Sequence, residues 1–149
     1  FGLIKQIKVS PGLGAEALQS AKEYLGAGDS VLIAPEGIAK KDDIWSKNRP
    51  EPASGFTRLA IATGAPIIPV GIWMKREDLV PITLRFKKID TNVETYRPKF
   101  RAKYHCLFGK PIYLDNKAEM IEDKMEIRKL TNEIFSQVYI LARESESLL

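Results

Sequence analysis

Cysteine and histidine are almost missing: the 149 residues hold one of each, Cys106 and His105. A lone cysteine excludes an internal disulfide and fits a reducing compartment. With no second thiol or imidazole at ligand spacing, no metal is expected. Long apolar runs are lacking too, and none comes near the ~20 residues that cross a bilayer. Charge of one sign is not concentrated either. The net charge of +4 is mild; it suits phosphate, an anionic membrane surface or nucleic acid and is diagnostic of none. Repeats and low-complexity tracts are absent. Nor does the sequence open on methionine: Phe1-Gly2-Leu3-Ile4 reads as mid-domain chain, so the expectation is a sequence that starts part-way through a larger protein.

What is present is globular in character. An apolar fraction of 44% and a charged fraction of 28% are those of a soluble domain. The length suits one domain, 1–149, better than two. "FGLIKQIKV" is β-branched and apolar enough for a strand, and "SPGLG" breaks it. Ala17, Leu18, Ala21, Tyr24 and Leu25 then recur at helical spacing, closed by Gly26 or Gly28. "SVLIAP" reads as a short buried strand. A strand, helix, strand order makes the two strands parallel neighbours.

Further along, "GIAKKDDIWSKNRPEPAS" is a long polar loop, and long ordered loops are more often functional than accidental. Phe56, Leu59, Ala60 and Thr63 mark a second helix with Ser54 at its N-cap and Gly64 at its end. "APIIPVGIW" is another buried strand, which Pro66 and Pro69 must start at, or keep partly outside, regular pairing. "ITLRFKKI" and "RAKYHCLFGKPIYL" add strands, the second interrupted at Gly109-Lys110-Pro111. The last helix carries Ile127, Leu130, Ile134, Phe135, Val138 and Leu141 as one apolar stripe. The expected fold is α/β, a mixed, largely parallel sheet flanked by helices and incomplete at the N-terminus.

Chemistry concentrates at "APEG". In open α/β sheets ligands bind beyond the carboxyl ends of parallel strands, where Pro35-Glu36-Gly37 falls. A glutamate there neutralises a cation, orients a hydroxyl or imidazole, or ties down loop amides. Gly37 permits a positive φ or a close backbone approach. The bland alternative is a strand-terminal turn with a structural glutamate.

The order of segments resembles the glycerolipid acyltransferase family, which includes the lysophosphatidate acyltransferases. "GLIKQIK", a helix, "VLIAPEG", a basic loop and "GFTRLAIATGAPIIPVGI" stand where that family has its second, third and fourth sequence blocks. Gly55 and Leu59-Ala60 occupy the positions typical of the intervening helix. The resemblance covers residues 2–72. It implies transfer of a fatty acyl group from acyl-CoA or acyl carrier protein to a lysophospholipid or related hydroxyl acceptor. It further implies a membrane-associated protein at the cytoplasmic face that needs no resident cofactor.

Departures from the pattern matter. Lys8 stands where the second block has arginine, which keeps charge and loses bidentate geometry. Ile38 and Ala39 replace the threonine and arginine of the third block, leaving Lys40 or Lys41 to meet an acceptor anion as point charges. The first block, a His-x4-Asp pair whose imidazole is the general base, is not in the sequence. His105 lies downstream, and the residue five places on is Lys110. No catalytic residue is therefore assigned within the chain, and the base is expected upstream of Phe1.

The substrate-binding candidates implied are Lys8, Pro35, Glu36, Gly37, Lys40 and Arg58. Arg58 either faces the acceptor anion or is a solvated helix arginine. Trp45 and Trp73, each close to a basic residue, suit a membrane interface or partly buried packing. "KIDTNVETYRPKFRAKYH" mixes aromatic and basic residues without a recognised nucleic-acid motif and is read as an edge strand and loop. A non-catalytic lipid- or acyl-chain-binding module on the same scaffold is the competing function class, and nucleic acid is not an expected partner.

Overall fold

Two helices, four strands and a long helix follow one another along the described residues of the computed structural model, which are 6–7, 14–37, 51–86, 91–115 and 117–148. The protein is mixed α/β and divides into two compact units. The first comprises residues 1–35, 53–67 and 111–131, and the second residues 36–52, 68–110 and 132–149.

In the first unit α1 (Gly14–Gly26) lies against α2 (Gly55–Thr63). The expected stripe holds, with Ala21 buried and Ala17, Leu18, Tyr24 and Leu25 half-buried. Gly55 is the contact point, since a Cβ there would stand 3.2 Å from Leu18 Cδ2. Gly64 ends α2 in the left-handed conformation, φ 68°, its N–H donating to Ala60 O. Ser54 does occupy the cap position of α2, but its side chain makes no capping hydrogen bond. Leu59, Ala60, Leu114 and Ile127 form the buried apolar core of this unit. Burial of a side chain such as Ile127 is worth about 1.5–3 kcal/mol. Ile67 and Ile112 form an isolated antiparallel bridge.

The second unit holds two ladders. β1 (Val70–Met74) pairs antiparallel with β4 (Tyr104–Phe108), and β2 (Leu79–Phe86) with β3 (Thr91–Pro98). Regular pairing of β1 starts only after Pro69, as the two prolines require. Pro81 sits inside β2, opposite Tyr96; a two-stranded ladder leaves an outer edge where a missing donor costs nothing. β4 stops before Gly109-Lys110-Pro111, the expected interruption.

α3 (Lys124–Glu146) starts at Asp123, whose Oδ1 accepts the N–H groups of Met125 and Glu126 at 2.8 and 3.0 Å. Of its apolar stripe Ile127, Ile134 and Phe135 are buried and Leu130, Val138 and Leu141 half-buried. Phe135 meets Tyr139 edge to face, centroids 4.9 Å apart. In the second unit the carboxyl-terminal half of α3 presses on one face of the β1·β4 ladder: a Cβ on Gly71 would fall 2.3 Å from Ala142 N.

Two sequence expectations need correction. "APIIPVGIW" is buried on one face only. Pro69 and Gly71 are buried, whereas Ile68 and Ile72 on the opposite face are exposed. "SVLIAP" forms no ladder among the described residues, and Leu32 is 91% exposed. An apolar run becomes a buried strand only when a neighbour takes up its N–H and C=O groups. Of its expected partner, the first strand, only Gln6 and Ile7 are described. Both observed ladders are antiparallel, so the parallel part of the expected sheet is not formed among the described residues.

Candidate functional site

The apolar residues Val31 to Ala34 lead into a turn at Pro35 and Glu36. Pro35 O accepts the N–H of Ala53 at 2.8 Å, which ties the chain just before this turn to the chain just before α2. Gly37 follows at φ 71°, in the left-handed region where a side chain is strained. Among the described residues no heavy atom would lie within 4 Å of a Cβ built there. The need for glycine that these residues show is conformational. Glu36 is half-buried at the centre of the turn. A half-buried carboxylate in such a turn can accept hydrogen bonds from a hydroxyl or ammonium group.

Arg58 has a different environment. It rises from the first turn of α2, and its Nη1 donates to Ile121 O at 2.5 Å. Ile121 belongs to the 3-10 segment Ala118–Glu122, whose carbonyls have no long helix to satisfy them. The guanidinium therefore anchors that segment, and the arginine is half-buried rather than a solvated helix residue. Nearby, Thr57 Oγ1 and Thr131 Oγ1 are 2.8 Å apart and buried. This polar pair was not anticipated, and its members lie 74 positions apart.

Pro35, Glu36 and Gly37 are brought together in one turn, while Lys8, Lys40, Lys41 and Trp45 lie outside the described residues. His105 sits half-buried on β4 opposite Trp73, a strand residue as expected. Trp73 is half-buried as well, and its indole N–H is enclosed without a hydrogen-bond partner among the described residues. Of "KIDTNVETYRPKFRAKYH", expected as an edge strand and loop, residues 91–105 are described, and their turn presents Phe100 almost fully to solvent. The signal was a phenylalanine set between Lys99 and Arg101 just after Pro98.

Among the described residues no helix is long and apolar enough to cross a membrane. No curated protein and no solved structure matches the chain. The acyltransferase family model, by contrast, matches residues 3–73, just under half of the sequence. The matched stretch contains α1, the Pro35-Glu36-Gly37 turn and α2, and it ends within β1. Over residues 3–73 the chain is similar to the acyltransferase family, whose chemistry is acyl transfer.

Proposed function

We propose that the protein to which this chain belongs moves a fatty acyl group from acyl-CoA or acyl carrier protein to the hydroxyl of a lysophospholipid or a related acceptor. The observation that carries this reading is the Pro35-Glu36-Gly37 turn, with Gly37 at φ 71°, inside the stretch that matches the acyltransferase family. Glu36 lines the acceptor side and accepts a hydrogen bond from the incoming group. Lys8 and Lys40 supply positive charge for an anionic acceptor, as monodentate contacts. Arg58 is left to its anchor on Ile121.

The chemistry needs a general base, which we assign to an imidazole upstream of Phe1. It takes the proton of the acceptor hydroxyl as the oxygen adds to the thioester carbonyl. The tetrahedral intermediate then expels the thiolate, which recovers the proton from the imidazolium, giving an ester and a free thiol. No metal or resident cofactor enters these steps. The acceptor is a membrane lipid in this reading, so the protein contacts the cytoplasmic face of a membrane peripherally.

The test is transfer of labelled acyl from acyl-CoA to lysophosphatidate by the intact protein. Glu36→Gln is expected to lower kcat/KM by roughly tenfold, the loss of one charge-assisted contact. Lipid binding with no turnover, unchanged by Glu36→Gln, would replace this reading with that of a non-catalytic lipid-binding module.

A further inference from the structure

Two connections meet at one end of the paired ladders in the second unit. β1 ends at Met74 opposite Tyr104, and β2 begins at Leu79 opposite Pro98. The segments 75–78 and 99–103 are therefore neighbours, joined by Lys99 N donating to Asp78 O at 2.8 Å. Together they expose Lys75, Arg76, Lys99, Arg101 and Lys103, five cations against the two acids Glu77 and Asp78. Phe100 stands among them at 89% exposure, with the Arg101 guanidinium 5.4 Å from its ring centroid. Arg101 is held at φ 65°, the one positive φ outside glycine among the described residues. A non-glycine residue kept in that region marks a backbone whose turn geometry outweighs local preference.

The next residue out, Tyr104, is exposed and starts an apolar face. Cross-strand partners point to the same side of a ladder, so Val70, Ile72 and Met74 share one face with Phe108, Cys106 and Tyr104. α3 packs against Gly71 on the other face, and Ile72 and Phe108 are exposed. Five exposed cations on two adjoining segments, with an exposed aromatic among them and an apolar face that starts at Tyr104, match the two layers of a membrane surface. The cations meet anionic headgroups and the aromatic enters the acyl boundary. A nucleic acid would satisfy the cations and leave the apolar face uncovered.

We propose that the turn Lys99–Lys103, with Lys75 and Arg76, is the surface by which this protein docks on an anionic bilayer, Phe100 reaching the boundary between headgroups and acyl chains. This rests on the peripheral membrane contact proposed above and gives it a location.

The 149-residue chain is sedimented with vesicles of phosphatidylcholine alone and with vesicles containing about one third phosphatidylserine. Wild type is expected to bind the second and not the first. The variant Lys99→Glu/Arg101→Glu/Lys103→Glu loses on the order of 100-fold in affinity, each cation near the surface being worth about fivefold. Phe100→Ser loses about tenfold. Lys22→Glu, an exposed charge change on α1, leaves binding unchanged. Circular dichroism melts confirm that the variants fold.

Wild type that ignores both vesicles overturns the proposal together with the membrane contact it rests on. Wild type that binds while the triple variant binds equally well overturns the location alone. Tighter binding to single-stranded oligonucleotide than to vesicles, lost in the triple variant, overturns it in favour of a nucleic-acid surface.

Discussion

The hydroxyl of Thr57 donates to the hydroxyl oxygen of Thr131 across 2.8 Å, and the direction is fixed by a third atom. Thr131 Oγ1 donates its only proton to Ile127 O at 2.7 Å, so the proton between the two threonines belongs to Thr57. Both residues have no exposed surface. The pair thus links α2 to the first turns of α3 through a relay of two hydrogen bonds that ends on a backbone carbonyl.

Thr131→Val removes the acceptor and leaves the Thr57 hydroxyl buried without a partner. The expected cost is about 1–3 kcal/mol. Thr57→Val in the same background removes the orphan, and the double variant is expected to regain most of that loss. Urea unfolding of the two single variants and the double variant gives the coupling energy directly. Additive losses would mean that the two hydroxyls do not depend on each other.

Gly71 is required by packing, not by backbone conformation. A Cβ there would lie 2.3 Å from Ala142 N, 2.4 Å from the Leu141 carbonyl carbon and 2.5 Å from Leu141 Cβ. Two of these atoms are helix backbone, which cannot swing aside. Gly109 is less restricted: its Cβ would meet Pro69 Cγ at 2.8 Å and Leu141 Cδ1 at 3.0 Å, both side-chain atoms. Gly71→Ala is therefore expected to cost about 3 kcal/mol or more, and Gly109→Ala about 1–2 kcal/mol. Thermal melts check the order; equal losses would place α3 elsewhere.

How much of this was readable from residue spacing depends on where each element finds its partners. α1, α2 and α3 carry their signal locally, in apolar residues three and four apart, and each appears with its core face where the spacing puts it. Gly37 and Gly64 were legible for the same reason, since a positive φ is a property of one residue. Val31 to Ala34 were not, because apolar content predicts burial while a strand exists only through another strand. The Arg58–Ile121 contact spans 63 positions, and nothing near Arg58 in the sequence announces a carbonyl waiting for it. Lys8 and Lys40, two of the three cations among the substrate-binding candidates, fall outside the described residues.

Arg58 now has a prediction of its own. Arg58→Met removes a charged donor from the Ile121 carbonyl at a half-buried position. About 1–2 kcal/mol of stability should be lost, less than for a fully buried charged hydrogen bond because solvent screens part of it. In the intact enzyme KM for the acceptor should stay unchanged. A KM raised tenfold with unchanged stability would return Arg58 to the acceptor site.

Ser145 is fully buried on α3, and its hydroxyl has no hydrogen-bond partner among the described residues. Burying a hydroxyl without a partner is unfavourable by about 1–3 kcal/mol on mutational scales. Alanine also has the better helix propensity. Ser145→Ala is expected to raise the midpoint of thermal unfolding. A lower midpoint would mean that the hydroxyl has a partner, such as an enclosed water.

Arg101 separates stability from docking most cleanly. At φ 65° its side chain is held in a conformation that costs an L-residue roughly 1–2 kcal/mol and glycine almost nothing. Arg101→Gly relieves that strain, at the expense of extra entropy in the unfolded chain and the contact over Phe100, so a gain of up to about 1 kcal/mol is expected. The same change deletes one of the five cations at the turn. Affinity for phosphatidylserine vesicles should therefore fall by about fivefold in a protein that melts higher. A destabilised protein that binds worse would attribute the lost binding to a damaged turn. A stabilised protein that binds as well as wild type would take the guanidinium out of the docking surface.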